Sequence, residues 1–556
     1  MTATHEVRNQ VPELVGHNPA DDQPLLEGLH REGAGWAEGA VRELGETLGQ
    51  AHVQDWARQA NDNPPTLHTH DRYGHRVDRV EFHPAWHELM RLSIGAGLTG
   101  EPWRTERPGG HVVRAAKHYL VTQLEAGHTC PIDMGYSVVP LLRKEPELAA
   151  RYEPLLGSTE YDPAEVPALG KRGILAGMSL TEKQGGSDLR KVTTRAVPAG
   201  DGSYLVTGHK WFTSAPMNDI FLVLAQSPDG PSCFLLPRIL PDGARNPIRL
   251  MRLKSKLGNR SNASAEIEYD NAVGWPIGEL GHGIATMMAM VAVTRLVLTN
   301  SSAAAMRAGL TQALHHATHR AAFGANLVDQ PLMRNVLADL AVESEAALAL
   351  SLRLAAAQDR AVAGDEREAA LLRIGVAAGK FWVCKRTPMH VAEALECLGG
   401  NGYVEESGLP RLYREAPLNS VWEGSGNVAA LDVPRVLRRE PETVDILLAE
   451  LDQARGADRR LDAYVGRLRA ELADGAKLAG SADPAERAEL ETRARQLAER
   501  LALALQGALL VRHSPPAVAD AFCASRLDER HGHSFGTLPA GLALAAIVER
   551  AKIKTG

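Results

Sequence analysis

The chain has 556 residues, of which 44% are hydrophobic and 23% are charged, a composition typical of a globular protein. A chain of this length is too long for one hydrophobic core, so we expect three or four domains. No apolar run reaches the roughly 18 to 20 residues of a membrane span. The five cysteines are scattered without a C-x-x-C pair, which argues against a disulfide framework and a zinc site and favours the cytoplasm. The net charge of −7 gives no general attraction to nucleic acid, so such a contact needs a local basic surface.

Residues 1–165 are predicted to form an arm followed by a helical domain. The first 25 residues are polar and lack the basic and apolar segments of a secretion signal. From Leu26 to about Gly157 apolar residues recur at spacings of three and four, and Pro64–Pro65 interrupts the pattern. This spacing predicts a domain built only of helices.

Residues 166–282 are predicted to form a small antiparallel β-domain. Short segments rich in Val, Phe, Leu and Ile alternate with DG and PDG turns, as in β-strands. The predicted strands are Thr194–Val197, Tyr204–Ser214, Ile220–Ala225, Ser232–Pro237 and Ser264–Tyr269. The turn Gly185–Ser187 offers N–H groups that suit a phosphate or a flavin carbonyl, and a simple hairpin loop is the alternative.

Helices return in residues 283–440, which are predicted to form a bundle. The apolar-faced segments are Ala303–Leu314, Leu340–Ala357 and Ala369–Val383. His315 and His319 are four residues apart, as metal ligands on a helix often are. No carboxylate lies nearby in sequence, so no metal site is predicted.

The stretch from Leu398 to Asn427 holds the strongest chemical candidate, Glu423, between Trp422 and Gly424. A carboxylate beside a bulky aromatic is partly desolvated, which moves a carboxyl pKa toward the range of a proton acceptor. The residues that follow offer N–H groups at a helix start, where a pyrophosphate can bind. Alternatively, Glu423 only favours the dipole of that helix. The segment GSGNVA also fits G-x-G-x-x-A, but no strand precedes it, so a Rossmann site is not expected.

Four motifs, in order, resemble the acyl-CoA dehydrogenase flavoprotein family. They are MSLTEKQGGSD (178–188), GHKWFTS (208–214), KLGNRSNASAEIEYD (256–270), and LGGNGY followed by PRLYREAPLNSVWEGSGN (398–427). Their details, with a long segment after Arg439, are most similar to the AidB branch, the adaptive alkylation-response flavoproteins. The resemblance implies a mainly α fold with a small β-domain, in which a helical domain, an antiparallel β-domain and a helical bundle precede a C-terminal helical extension, residues 441–556.

The resemblance also implies FAD as the cofactor and Glu423 as the catalytic base, which removes an α-proton while a hydride passes from the β-carbon to flavin N5. The segment from Arg320 to Gly324 is similar to an R-x-x-F-G segment that reaches the pyrophosphate of a flavin bound mainly by a neighbouring subunit, so a homodimer or homotetramer is implied. The implied cofactor-binding residues are Met178, Leu180, Thr181, Gly185, Gly186, Ser187, Trp211, Phe212, Thr213, Ser214, Arg320, Phe323, Gln330, Gly399, Gly400, Trp422, Gly424, Ser425 and Asn427.

The extension is predicted to be helical, with a helix start at Asp483-Pro484 and an acid at Glu486. By resemblance to the AidB branch it binds double-stranded DNA. Its 16 Lys+Arg against 17 Asp+Glu leave it nearly neutral, so binding would depend on grouped arginines that contact phosphates without sequence preference. The candidates are Arg435, Arg460, Arg467, Arg487, Arg493 and Arg495. A solvated helix with i, i+4 ion pairs is the alternative.

Two functions are predicted as alternatives. The first is an FAD-containing, DNA-binding protein of the alkylation-damage response, whose dehydrogenase activity is weak or vestigial, for example on short branched acyl-CoA. The second is a fully active acyl-CoA dehydrogenase whose extension only serves assembly. Trp422 stands where the family commonly has tyrosine, and Glu396 where glutamine usually precedes the glycine pair. A chain cut after Arg439 is expected to keep its flavin, because every flavin motif precedes the cut.

Overall fold

The computed structural model describes residues 4–105, 107–528 and 532–553. Tertiary contacts divide the chain into two units. The bundle unit comprises Met1–Ala51, Pro108–Leu124 and Arg295–Gly556, and the sheet unit comprises His52–Arg107 and Glu125–Thr294. Each unit therefore combines segments that are distant in the sequence.

The first part of the chain is mainly helical. Its helices are Gln23–Arg31, Glu38–Leu48, Ala51–Asp62, Pro84–Gly95, Glu101–Thr105, Gly110–Leu124, Thr129–Leu142 and Pro146–Leu156. Strands Thr66–His70 and Arg76–Glu81 form an antiparallel hairpin whose turn contains Gly74, with φ of +87°. The prediction of a domain built only of helices is therefore wrong in this detail. Leu67 and Val80 of the hairpin pack against the core of the sheet, a contact that stabilises two otherwise polar strands.

The sheet unit is built on a seven-stranded sheet. Its strands are Ala176–Ser179, Arg195–Pro198, Tyr204–Ser214, Ile220–Ser227, Gly230–Pro237, Ile248–Leu253 and Ser264–Ile277. The predicted β-domain is confirmed. It is not purely antiparallel, because Ile220–Ser227 pairs in parallel with Ala176–Ser179 and, at one position, with Arg195–Pro198. Phe221 and Phe234 are among the buried side chains of its core.

Three long helices follow, Gly283–His319, Pro331–Val362 and Glu366–Glu396. The first is long and apolar enough to span a membrane, with a mean hydropathy of 1.4 over its most apolar window. It is the one helix of this kind in the part of the chain that the structure describes, and 72% of that window is buried inside the protein. It is therefore packed as a core helix. Two-residue strands, Ala321–Ala322 and Ala325–Asn326, form a hairpin before the second helix.

Shorter helices and the extension complete the chain. Their bounds are Leu409–Glu415, Gly426–Ala430, Asp432–Arg439, Glu442–Asp452, Arg459–Gly480, Pro484–His513, Pro516–Phe522 and Leu544–Ala551. Asp483 caps its helix as predicted, accepting a hydrogen bond from Ala485 N at 2.8 Å.

The extension packs on the rest of the bundle unit through buried ion pairs. The pairs are Arg526 with Asp339 and Glu343, Arg550 with Glu345, and Arg353 with Glu450. A buried charge that loses its partner strongly destabilises a protein. The extension is therefore an integral part of the bundle unit.

Candidate functional site

In the sheet unit, Glu182 anchors the loop that carries Gly185–Ser187. Its carboxylate accepts hydrogen bonds from Thr193 N at 2.7 Å, Thr194 Oγ1 at 2.6 Å and Lys210 Nζ at 2.9 Å. Burial alone raises the pKa of Glu182, but the hydrogen bond from Thr194 and the charge of Lys210 outweigh burial, so this pKa lies well below the usual carboxyl value. An ionised carboxylate therefore fixes the loop against the sheet.

Four of the predicted flavin contacts share one face of the sheet. Ser179 and Thr213 are buried, and their hydroxyl groups hydrogen-bond to each other. Side chains alternate along a strand, so the chain neighbours of this pair turn to the opposite face. Those neighbours are Met178, Leu180, Phe212 and Ser214. Thr213 itself lies inside, and its predicted direct contact with the cofactor stays a prediction.

This face suits a flavin ring. The side chain of Phe212 is 50% exposed, an apolar surface open to a flat partner. Lys254 Nζ lies 3.2 Å from the ring centroid of Trp211 and 4.6 Å from that of Phe212, and its charge is paired with Glu266 Oε1 at 2.7 Å. A Cβ at Gly185 would meet nothing within 4 Å, so a ligand can approach this backbone closely. Thr181 is half-buried and its carbonyl accepts a hydrogen bond from Trp211 N at 2.8 Å.

In the bundle unit, Arg320, Phe323 and Gln330 meet at the two-residue hairpin. Phe323 has φ of +53° and is 99% exposed, so its ring is presented to solvent at the tip of the turn. Gln330 Nε2 donates to the carbonyl of Ala322 at 3.0 Å, and Arg320 donates to the carbonyl of Asn9 in the N-terminal arm. The structure thus brings the three predicted residues together.

Glu423 lies in a tight turn with φ of +55°, a left-handed conformation that is uncommon for a residue other than glycine. Two buried cations hold this turn. Arg295 Nε donates to the carbonyl of Glu423 at 2.9 Å, and Lys380 Nζ donates to the carbonyl of Trp422 at 3.0 Å and to that of Gly424. Three successive carbonyls therefore face cations, and Glu423 is half-buried.

Asp432 balances part of this positive charge. Its Oδ2 lies 2.9 Å from Arg295 Nη1 and 2.9 Å from Arg373 Nη1. Burial lowers the pKa of Arg295 and of Lys380, and the charge of Glu423 opposes both shifts. An ionised Glu423 therefore helps to keep its two supports charged.

The other residues predicted in this region are accessible. Gly399 and Gly400 are exposed, and so are Ser425 and Asn427, while Trp422 is half-buried. The indole N–H of Trp422 donates to the side chain of Asn419 at 3.2 Å.

Most of the predicted DNA-binding arginines already have intramolecular partners. Arg435 pairs with Asp432, Arg460 with Asp458 and Asp520, and Arg493 with Asp474, while Arg487 donates to the carbonyls of Ser481 and Ala482. Arg467 and Arg495 are exposed, and neither has a carboxylate partner among the described residues. The positive surface of the extension is therefore smaller than the sequence indicates.

The two histidines considered as metal ligands bond to backbone carbonyls. His315 Nε2 donates to Pro12 O at 2.8 Å, and His319 Nδ1 donates to His315 O at 2.9 Å. Within the described ranges no group of three or more His, Cys, Asp or Glu is arranged to hold a metal ion.

Arg295, Lys380 and Asp432 were not predicted from the sequence. A usable signal was present, because MVAVTRLVL and VAAGKFWVC each place one cation in an otherwise apolar helical run. Such a charge is buried at a cost and therefore has a partner.

Three family models match the chain in order. They are the adaptive response protein AidB N-terminal domain over residues 9–163, the acyl-CoA dehydrogenase middle domain over 177–272 and the acyl-CoA dehydrogenase C-terminal domain over 281–437. Together with the fold, they define the class of acyl-CoA dehydrogenase-type proteins.

Full-length relatives are more specific. The acyl-CoA dehydrogenase homologue AidB of Escherichia coli (strain K12) is 45% identical over 95% of both chains. The crystal structure of Caenorhabditis elegans ACDH-11 in complex with C11-CoA has a TM-score of 0.83 at 27% identity, over 94% of this chain and 93% of that one. The structure of the Bd2924 apo-form has a TM-score of 0.80 at 26% identity, over 92% of this chain and 100% of that one. The chain belongs to the acyl-CoA dehydrogenase family, in its AidB branch, which confirms the resemblance of the motifs.

Proposed function

We propose that the chain is an FAD-dependent oxidoreductase of the acyl-CoA dehydrogenase type, with Glu423 as its base. The observation that carries this proposal is the Glu423 turn, a half-buried carboxylate on a backbone held by buried Arg295 and Lys380. A fixed proton acceptor needs such support, because proton transfer depends on geometry before it depends on pKa.

FAD is the cofactor, and when bound it supplies the hydride acceptor. Met178, Leu180, Phe212 and Ser214 would hold its ring, and Thr181 with Gly185–Ser187 would hold its polar end. The substrate class is an acyl-CoA thioester. Glu423 removes the α-proton, and we expect weak turnover because Trp422 stands beside it where the family commonly has tyrosine. The similarity of Arg320–Gly324 to a segment that reaches the flavin of a neighbouring subunit supports a homodimer or homotetramer, in which the 99% exposed Phe323 would be covered.

The test uses the purified full chain, which is expected to be yellow with one FAD per chain. Glu423→Gln keeps the shape and removes the proton acceptor, so turnover of short branched acyl-CoA should be lost at unchanged flavin content. Glu406→Gln, an exposed residue of the same segment, is the matched control. A colourless protein that takes up no FAD would sink the cofactor assignment, and unaltered turnover in Glu423→Gln would make this residue structural.

DNA binding in the alkylation response is a second candidate. It is favoured by Arg459, Arg467 and Arg495, which are exposed and lack a carboxylate partner among the residues described. The protein should then retard unrelated DNA duplexes equally. Replacing Arg459 and Arg467 together by glutamine should reduce the slope of the logarithm of the DNA-binding constant against the logarithm of salt concentration. The expected reduction is about two units, one for each phosphate contact. Arg493→Gln is the control, since Arg493 pairs with Asp474. Absence of retardation at low salt would leave the extension with an assembly role, in line with its buried ion pairs.

A further inference from the structure

Two cations from different helices converge beside the Glu423 turn, at Gly426. A Cβ at this position would lie 3.6 Å from Lys385 Nζ and 3.8 Å from Arg495 Nη2. Lys385 lies on the helix Glu366–Glu396, and Arg495 on the extension helix Pro484–His513. The point where they meet is therefore shared by the bundle and the extension.

Neither cation is neutralised by a carboxylate in the part of the chain that the structure describes. Both side chains are exposed, and no carboxylate pairs with Lys385 or Arg495 among the described residues. Two like charges that face the same point repel each other. An anion at this point would replace that repulsion by two attractions.

The surrounding polar groups suit a phosphoryl anion. Arg495 Nε donates to Asn427 Oδ1 at 2.8 Å, which orients the guanidinium over the turn. Ser425 precedes the helix Gly426–Ala430 but does not cap it through its side chain, so its hydroxyl remains available to a ligand. Gly426 keeps the space open, because a Cβ there would lie 3.0 Å from Lys385 Cε.

We propose that Lys385 and Arg495, with Ser425 and Asn427, bind the phosphate of a nucleotide cofactor, so that the C-terminal extension takes part in cofactor retention. The inference rests on the proposed function in one respect, that the nucleotide is FAD. It gives Arg495 a different role from DNA binding. It also contradicts the expectation that flavin binding depends only on the residues before Arg439.

The experiment titrates deflavinated full-length protein with FAD and follows flavin fluorescence. Arg495→Gln and Lys385→Gln should each raise the dissociation constant for FAD about tenfold, the loss of one charge-assisted hydrogen bond, and the double variant more. Arg495→Lys should keep most of the affinity, since it keeps the charge. Gly426→Ala, which fills the space without changing charge, should also weaken FAD binding. Inorganic pyrophosphate should compete with FAD in the unaltered protein and much less in the double variant.

Arg493→Gln and Arg455→Gln are the matched controls on the extension, and thermal unfolding midpoints establish that each variant is folded. Equal FAD affinity in Arg495→Gln and in the unaltered protein would overturn the inference and leave the proposed function intact. The inference would also be overturned if the variants kept their affinity for FAD and lost affinity only for duplex DNA. The same holds if they lost affinity only for coenzyme A and not for its form without the 3′-phosphate. An unaltered protein that binds no FAD would overturn both proposals.

Discussion

Glu423 owes its conformation to two cations that are distant in the sequence. Lys380 lies 42 residues before Trp422, and Arg295 lies 128 residues before Glu423. The neighbours of Glu423 were enough to single it out as a candidate base. They could not predict its left-handed backbone, since that conformation depends on contacts with other helices.

Lys380→Met should lower turnover and stability together. The carbonyls of Trp422 and Gly424 would lose a buried donor, at about 1–3 kcal/mol for each unsatisfied group. The turn would then relax and move the base. Thermal unfolding and kcat per bound flavin measure the two effects, and Lys380→Arg should recover part of both.

Lys477→Met, on an exposed part of the extension, is the control for this substitution. If Lys380→Met loses stability while each remaining flavin turns over at the original rate, Lys380 supports the fold without positioning Glu423.

Among the elements, the strands predicted best were those whose own sequence carries the signal of a β-strand. Tyr204–Ser214 was predicted with the observed bounds. Ile248–Leu253 was missed, although its side chains alternate between buried and exposed at Ile248, Arg249 and Leu250. Ala176–Ser179 gave no signal, because its residues, three of them small and buried, show no period and their parallel partner is far along the chain.

The extension helices carry a prediction of their own. Arg526→Met would leave Asp339 and Glu343 buried with fewer cations, and the loss of one partner of a buried pair costs about 3–5 kcal/mol. The free energy of unfolding in urea measures this loss. Arg455→Met, whose partner Asp452 is on the surface, should change it by less than about 1 kcal/mol.

By the same reasoning, a chain cut after Arg439 should fail to fold, because Arg353, Glu343 and Glu345 would lose buried partners at once. This outcome is the opposite of the expectation from motif positions alone. A soluble, cooperative and yellow fragment ending at Arg439 would contradict it.

For the whole molecule, the division into two units could not be predicted from sequence. Pro108–Leu124 belongs to the bundle unit while the segments on either side of it belong to the sheet unit. No change in composition marks those boundaries, since all three segments include helices. The four predicted domain ranges therefore remain predictions about folding units.

Acid should destabilise the bundle unit before its carboxylates are protonated. Burial lowers the pKa of His17 and of His390 to about 4. The unfolded chain, with histidine pKa near 6.5, then binds more protons, so stability falls as pH decreases from about 6.5 toward 4. The expected loss in the free energy of unfolding is on the order of 2 kcal/mol for each histidine at pH 5.

The thermal midpoint between pH 7.5 and pH 5 tests this dependence. His390→Gln keeps a donor for the carbonyl of Leu340 and cannot become charged, so its profile should be flatter. His282→Gln, at an exposed position, should leave the profile unchanged. Parallel profiles for all three proteins would exclude His390 as a source of acid sensitivity.

The N-terminal arm closes over the hairpin that presents Phe323. Asn9 exchanges two hydrogen bonds with Ala321, and its carbonyl accepts one from Arg320. A segment held by a few surface hydrogen bonds opens at a small free energy, and a protease cuts it while it is open. In the proposed homodimer or homotetramer, a second copy that covers Phe323 would trap the arm. The rate at which a protease cuts the chain ahead of Pro12 should therefore fall as subunits assemble. This rate would report assembly on a gel, without any activity assay.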